Sequence, residues 1–122
     1  MKKGILICVF LPLFITAQQK KEVLFIGNSY TYVNNLPNLV KQIALSFGDS
    51  LIYYSSTSGG ATFNTHANNI QTLDKINQQQ WDYVVLQAQS QEPSFSASQV
   101  ANDTYPYAKI LVDSIHANSI CT

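Results

Sequence analysis

Glu22-Val23-Leu24-Phe25-Ile26-Gly27-Asn28-Ser29 is the stretch that decides how this chain folds. Residues 23–26 are four apolar residues in a row, closed by a glycine. A strand with one wet face alternates apolar and polar side chains, so a short unbroken run describes a strand buried on both faces, as in parallel sheets. A serine directly after such a strand stands on a rigid support and faces the open edge of the sheet.

Working outward, residues 30–35 are polar turn formers and predict a loop. Pro37 then suits a helix start, and Leu36, Leu39, Val40, Ile43, Ala44 and Phe47 recur at helical spacing up to Gly48. The strand–loop–helix unit repeats. Residues 51–54 predict a second strand, 55–62 a Ser/Thr/Gly loop, and 66–80 a helix with weak ends. Asp82-Tyr83-Val84-Val85-Leu86-Gln87 is a third strand, followed by a polar loop at 87–98 and a helix at 99–117. Residues 119–122 read as the opening of a fourth strand, so the chain is expected to be the N-terminal part of a larger domain. Alternating strands and helices with apolar strands predict an α/β fold, a three-layer α/β/α arrangement on a parallel sheet of flavodoxin-like type. Right-handed crossovers place all the strand C-terminal ends on one rim. The loops at 27–35, 55–62 and 87–98 should therefore share that rim.

The N-terminus has a different character. Lys2 and Lys3 precede an apolar run over residues 4–15, and Thr16-Ala17-Gln18 is a small-residue exit. This is the pattern of a signal peptide over residues 1–17. The run is shorter than the roughly 20 residues a bilayer span needs. A secreted or periplasmic bacterial protein is expected, with no stable membrane insertion after cleavage and a domain over residues 22–122. Removing Cys8 with the leader would leave Cys121 alone, which forbids an intrachain disulfide in this sequence. Cysteine and histidine are too few for a zinc site, and neither a metal nor a cofactor is expected. Beyond the leader five lysines face seven acids, a net charge of −2, and arginine is absent. Nucleic acids and phosphate-rich ligands are gripped by basic clusters and forked guanidinium groups, so that class of partner is not expected.

Gly27-Asn28-Ser29 carries the chemistry. Taken by themselves these residues are read more simply as a strand end and turn cap. The wider pattern favours more. Val-Leu-Phe-Ile-Gly-Asn-Ser-Tyr-Thr over residues 23–31 resembles the first conserved block of the SGNH (GDSL-like) hydrolases, with Asn28 where the common form has Asp. Ser58-Gly59-Gly60-Ala61-Thr62 resembles the second block, and Trp81-Asp-Tyr-Val-Val-Leu-Gln-Ala-Gln-Ser the third. The three lie in order at the three rim loops and span most of residues 22–93.

The resemblance implies a serine esterase. Ser29 would be the nucleophile. Its own N–H, the N–H of Gly60 (or Gly59) and a side-chain amide would form the oxyanion hole. The family's third block normally supplies an Asn, and here Gln89, or alternatively Gln87, would serve. Asn28, Tyr30, Asn34 and His66 are candidate substrate contacts, with His66 more simply a helix-start residue near the rim. The implied substrate is a small-molecule or carbohydrate-linked acyl ester. Family members draw their base from an Asp-x-x-His motif near the C-terminus. Asp113-Ser-Ile-His116 has that spacing, but it falls within a predicted helix and too soon after Ser29, so it reads as a solvated helix face. The base is thus expected outside this chain, and the 122-residue chain is expected to be inactive. Two alternatives stay open: a non-catalytic carbohydrate-binding protein on the same scaffold, and a flavodoxin-like ligand-binding module.

Overall fold

A computed structural model describes residues 20–118. The expected leader, the expected fourth strand and both cysteines lie outside the described residues. Three parallel strands form an open sheet in the order β2-β1-β3, with β1 at Lys20–Gly27, β2 at Ser50–Thr57 and β3 at Tyr83–Leu86. The central strand is the most deeply covered of the three. Val23, Leu24, Phe25 and Ile26 are all buried, whereas β2 and β3 are only partly covered. Leu24 stands opposite Tyr54 on one side and Val84 on the other. Asp82 aligns the start of β3 with β1, accepting from Glu22 N–H and Lys21 Nζ, each at 2.8 Å.

The helices are α1 at Ser29–Tyr32, α2 at Leu36–Ser46, α3 at Phe63–Ala67, α4 at Ile70–Asn77, α5 at Ala97–Asp103 and α6 at Tyr105–Asn118. The chain steps from β1 through α2 to β2, then returns across β1 through α3 and α4 to reach β3. Right-handed crossovers in opposite directions put α2 on one face and α3 and α4 on the other. α6 packs against α3 and α4. The architecture is a three-layer α/β/α fold on a parallel sheet, of flavodoxin-like type, as the alternation of strands and helices implies. Among the described residues, no helix is long and apolar enough to cross a membrane.

The main core lies between the sheet and the α3, α4 and α6 layer. Leu24 and Ile26 project into it from the centre of the sheet and meet Phe63, Ala67, Ile76 and Leu111. Trp81 closes its lower end, packing edge-on to Tyr54 at 5.0 Å between ring centres. The indole N–H donates to the Ile76 carbonyl at 3.0 Å, so the large ring is partly buried without orphaning its polar atom.

Several elements depart from expectation, each for a local reason. Residues 29–32 are a helical turn rather than loop, because Asn28 caps it: its Oδ1 accepts from Tyr30 N–H at 3.1 Å. The helix expected over 66–80 is broken at Asn68-Asn69, where Asn69 Oδ1 accepts from Thr72 N–H and starts α4. The helix expected over 99–117 is two helices, with Pro106 in the first turn of α6, where a missing N–H costs nothing. Residues 55–57, expected in a loop, extend β2. The apolar positions of α2 do not all face inward either. Pro37 is buried and Val40 and Ala44 are partly so, while Leu36, Leu39, Ile43 and Phe47 form an exposed stripe.

That distribution has a measurable consequence. Ile76 is fully buried and Ile43 is 60% exposed. Ile76→Ala should lower unfolding stability by about 2–5 kcal/mol, and Ile43→Ala by no more than about 0.5 kcal/mol. Urea midpoints of the two variants measure this, and equal losses would put the α2 stripe in the core.

Candidate functional site

The C-terminal end of β1 is where the three rim loops are joined. Asn28 is 2% exposed and bonds in three directions. Its backbone N–H donates to Gln87 Oε1 at 3.0 Å, which fixes the loop after β3. Its Nδ2 donates to the Ala61 carbonyl at 3.1 Å, which fixes the loop after β2. Its Oδ1 caps α1. Thr31 Oγ1 also donates to Gln87 Oε1, at 3.0 Å. An oxygen that accepts from a backbone N–H settles the orientation of the Gln87 amide, and its Nε2 donates to the Ala88 carbonyl.

Gly27 is required by this crowding. A Cβ there would lie 2.4 Å from Thr31 Oγ1 and 2.8 Å from Gln87 Oε1. Gly60 is required for a different reason, a φ of +69° with open space around it. Gly59 lies close to Tyr32, whose hydroxyl would be 3.4 Å from an added Cβ.

Ser29, directly after Asn28, is half-buried, and its hydroxyl has no hydrogen-bond partner among the described residues. With Tyr30, Val33 and Asn34 it lines a shallow depression of about 230 Å³. Gly60 and Gln89 line a second depression of about 330 Å³, with Thr62, Asn64 and Phe95 among its walls. Gln89 Oε1 accepts from Gln91 N–H at 2.7 Å, which leaves its Nε2 as the free end of the amide. The expected residues therefore separate into two groups, Ser29 with Tyr30 and Asn34, and Gly60 with Gln89. The bonds of Asn28 to Ala61 and Gln87 connect their loops.

Three candidates have other work. Asn28 is a buried tie, with its side-chain atoms engaged, and not a ligand contact. Gln87 Oε1 accepts from Asn28 N–H and Thr31 Oγ1, and its Nε2 gives one of its two hydrogens to the Ala88 carbonyl, so the side chain is held as a tie between loops. His66 is also corrected. It is 3% exposed, with Nε2 2.9 Å from the Gly27 carbonyl and Nδ1 3.1 Å from Thr72 Oγ1. A carbonyl only accepts, so Nε2 carries the proton and Nδ1 accepts from Thr72, which in turn accepts from Ser56 Oγ at 2.8 Å. The ring is a strut between α3, α4 and the end of β1. Asp113 and His116 are exposed on α6, and Asp113 pairs with Lys109 at 2.6 Å. That agrees with a solvated helix face.

Thr31, Thr72 and Ser56 were not singled out in the sequence. Thr31 lies in the hydroxyl-rich stretch 29–32, and Thr72 reads as one more polar position of an amphipathic helix, so neither has a pattern to separate it from its neighbours. Glu92, also buried, did have a signal, as the one charge in the loop at 87–98. Among the described residues no group of three or more His, Cys, Asp or Glu side chains is placed to hold a metal ion. No protein-family model, curated protein or solved structure matches this chain.

Two measurements test this network. Gly27→Ala should cost about 1–3 kcal/mol of stability, since its neighbours are side chains already bonded in place; an unchanged urea midpoint would show that the Gln87 tie is slack. Burial holds the His66 pKa below its ordinary 6.5, with the Gly27 carbonyl opposing. Below pH 6.5 the unfolded chain therefore takes up a proton that the folded chain resists. Stability from this group is complete above pH 6.5 and is lost as pH falls, levelling off below the folded pKa. Asp82, held low by Lys21, acts only below its ordinary 3.8. His66→Gln should remove the loss that begins at pH 6.5. Wild-type midpoints that stay flat across that range would contradict the assignment.

Proposed function

We propose that the chain carries the nucleophile and oxyanion elements of a secreted serine ester hydrolase of SGNH type, acting on a small or carbohydrate-linked acyl ester. The observation that carries the reading is the double tie of Asn28. It brings the loop after each strand to the residue preceding a serine whose hydroxyl has no partner among the described residues. In this reading Ser29 Oγ attacks the acyl carbonyl after losing its proton to a base, and the leaving alcohol departs with that proton. Water then releases the acid from the seryl ester. In this reading the oxyanion falls to the Ser29 N–H, the Gly60 N–H and Gln89 Nε2, and the two depressions they line must close on one another to hold it. Gln89 is favoured of the two glutamines, since its Nε2 has no partner among the described residues while that of Gln87 bonds the Ala88 carbonyl.

The base is the part these residues do not supply. His66 is committed to Gly27 and Thr72, and the Asp113–His116 pair lies on exposed helix surface. The same fact favours the second reading, a carbohydrate-binding protein on this scaffold without turnover. For the first reading, the base comes from an Asp-x-x-His segment outside the chain.

The two separate on one comparison. In a reading frame that continues into an Asp-x-x-His segment, Ser29→Ala should lower p-nitrophenyl acetate turnover by about 10⁶-fold, and Gln89→Ala by roughly 10²–10³-fold. The 122-residue chain alone should show little or no turnover. Equal rates for the longer protein and its Ser29→Ala variant would remove the hydrolase reading.

A further inference from the structure

Away from Ser29, two buried side-chain atoms have no hydrogen-bond partner among the described residues, Glu92 Oε2 and Thr104 Oγ1. Glu92 is 5% exposed and opens the 3-10 turn Glu92–Ser94; Thr104, 7% exposed, links α5 to α6. They come from different elements and line the same depression of about 430 Å³, with Ala88, Pro93, Val100 and Tyr105 as its walls. Glu92 also lines the depression that holds Gly60 and Gln89, so it is shared between the two.

The chemistry of this lining is specific. Buried polar atoms are normally bonded, and a carboxylate among apolar walls needs a donor. An ionised carboxylate only accepts, while a threonine hydroxyl both donates and accepts. A ligand matching both must offer a donor to Glu92 and an acceptor to Thr104. An ammonium group donates only. A phosphate or carboxylate would be repelled by Glu92, and no basic side chain lines the depression to offset that. Neighbouring hydroxyls satisfy both atoms. The apolar walls and the exposed Tyr105 ring suit the C–H face of a sugar.

We propose that this depression is a subsite for a neutral pyranose ring, held by Glu92 and Thr104. Binding there does not require hydrolysis. The proposal rests on the esterase reading only for its purpose, which is to seat a sugar beside the Gly60–Gln89 depression.

The test is an amide NMR titration of the chain with the methyl glycosides of glucose, galactose, mannose, xylose and N-acetylglucosamine, with methylammonium chloride as a cationic probe. At least one glycoside should give saturable shifts at Ala88, Val100 and Tyr105, with a Kd on the order of 1 mM. Glu92→Gln and Thr104→Val should each weaken it tenfold or more. Thr104→Val is isosteric and keeps the test open if Glu92→Gln disturbs the fold. The proposal is overturned by any of three results: no saturable shift from the whole panel, an affinity unchanged in the folded variants, or methylammonium binding the same residues more tightly than every glycoside. Absent shifts beside Ser29-dependent turnover would remove the subsite alone, whereas glycoside binding without such turnover would remove the hydrolase reading alone.

Discussion

The polar groups at the end of β1 must be satisfied where water hardly reaches, and the rest of the rim follows from how that is done. Gly27 and Asn28 are buried, yet they present a carbonyl, an N–H and an amide side chain. Orphaning such groups costs about 1–3 kcal/mol each. The solution draws on every neighbouring segment. The Gly27 carbonyl accepts from His66 of α3, the Asn28 N–H finds Gln87 beyond β3, and the Asn28 amide finds Ala61 beyond β2. Partners in separate loops cannot be supplied unless those loops come together.

This explains why an Asn follows the glycine so naturally here. An Asp at position 28 could still cap α1 through one oxygen, but it has no N–H to donate to the Ala61 carbonyl. The amide does both: Oδ1 accepts from Tyr30 while Nδ2 donates to Ala61. The amide at position 28 is thus matched to a carbonyl acceptor from the second loop. The glycine is matched to the third loop, because the space a Cβ would take is occupied by Thr31 and Gln87.

Legibility in the sequence followed the range of the interaction. The strands and their parallel arrangement were readable, because burial on both faces of β1 leaves an unbroken apolar run. Rim placement of Ser29, Gly60 and Gln89 followed from topology. Helix ends depart from the apolar period at Asn68-Asn69 and Thr104, where a single cap or a proline two residues later outweighs it. His66 and Gln87 were harder. An imidazole and an amide have the same chemistry whether they face a ligand or brace a backbone, and only the identity of their partners, 39 and 59 residues away in the chain, distinguishes the two uses.

The exposed face of α2 extends the same reasoning from polar to apolar groups. Leu36, Leu39, Ile43 and Phe47 fall on a helical stripe, yet α2 turns Pro37, Val40 and Ala44 toward β2 instead. Proline at the first turn and the left-handed Asn35 before it set the direction in which the helix leaves α1. With that direction set, the helix rotation follows from seating small residues against the sheet, since Ala44 allows a close approach that a leucine does not. Periodicity identifies the helix, but its width alone does not say which of two apolar stripes faces the sheet. The backbone geometry at its entry does.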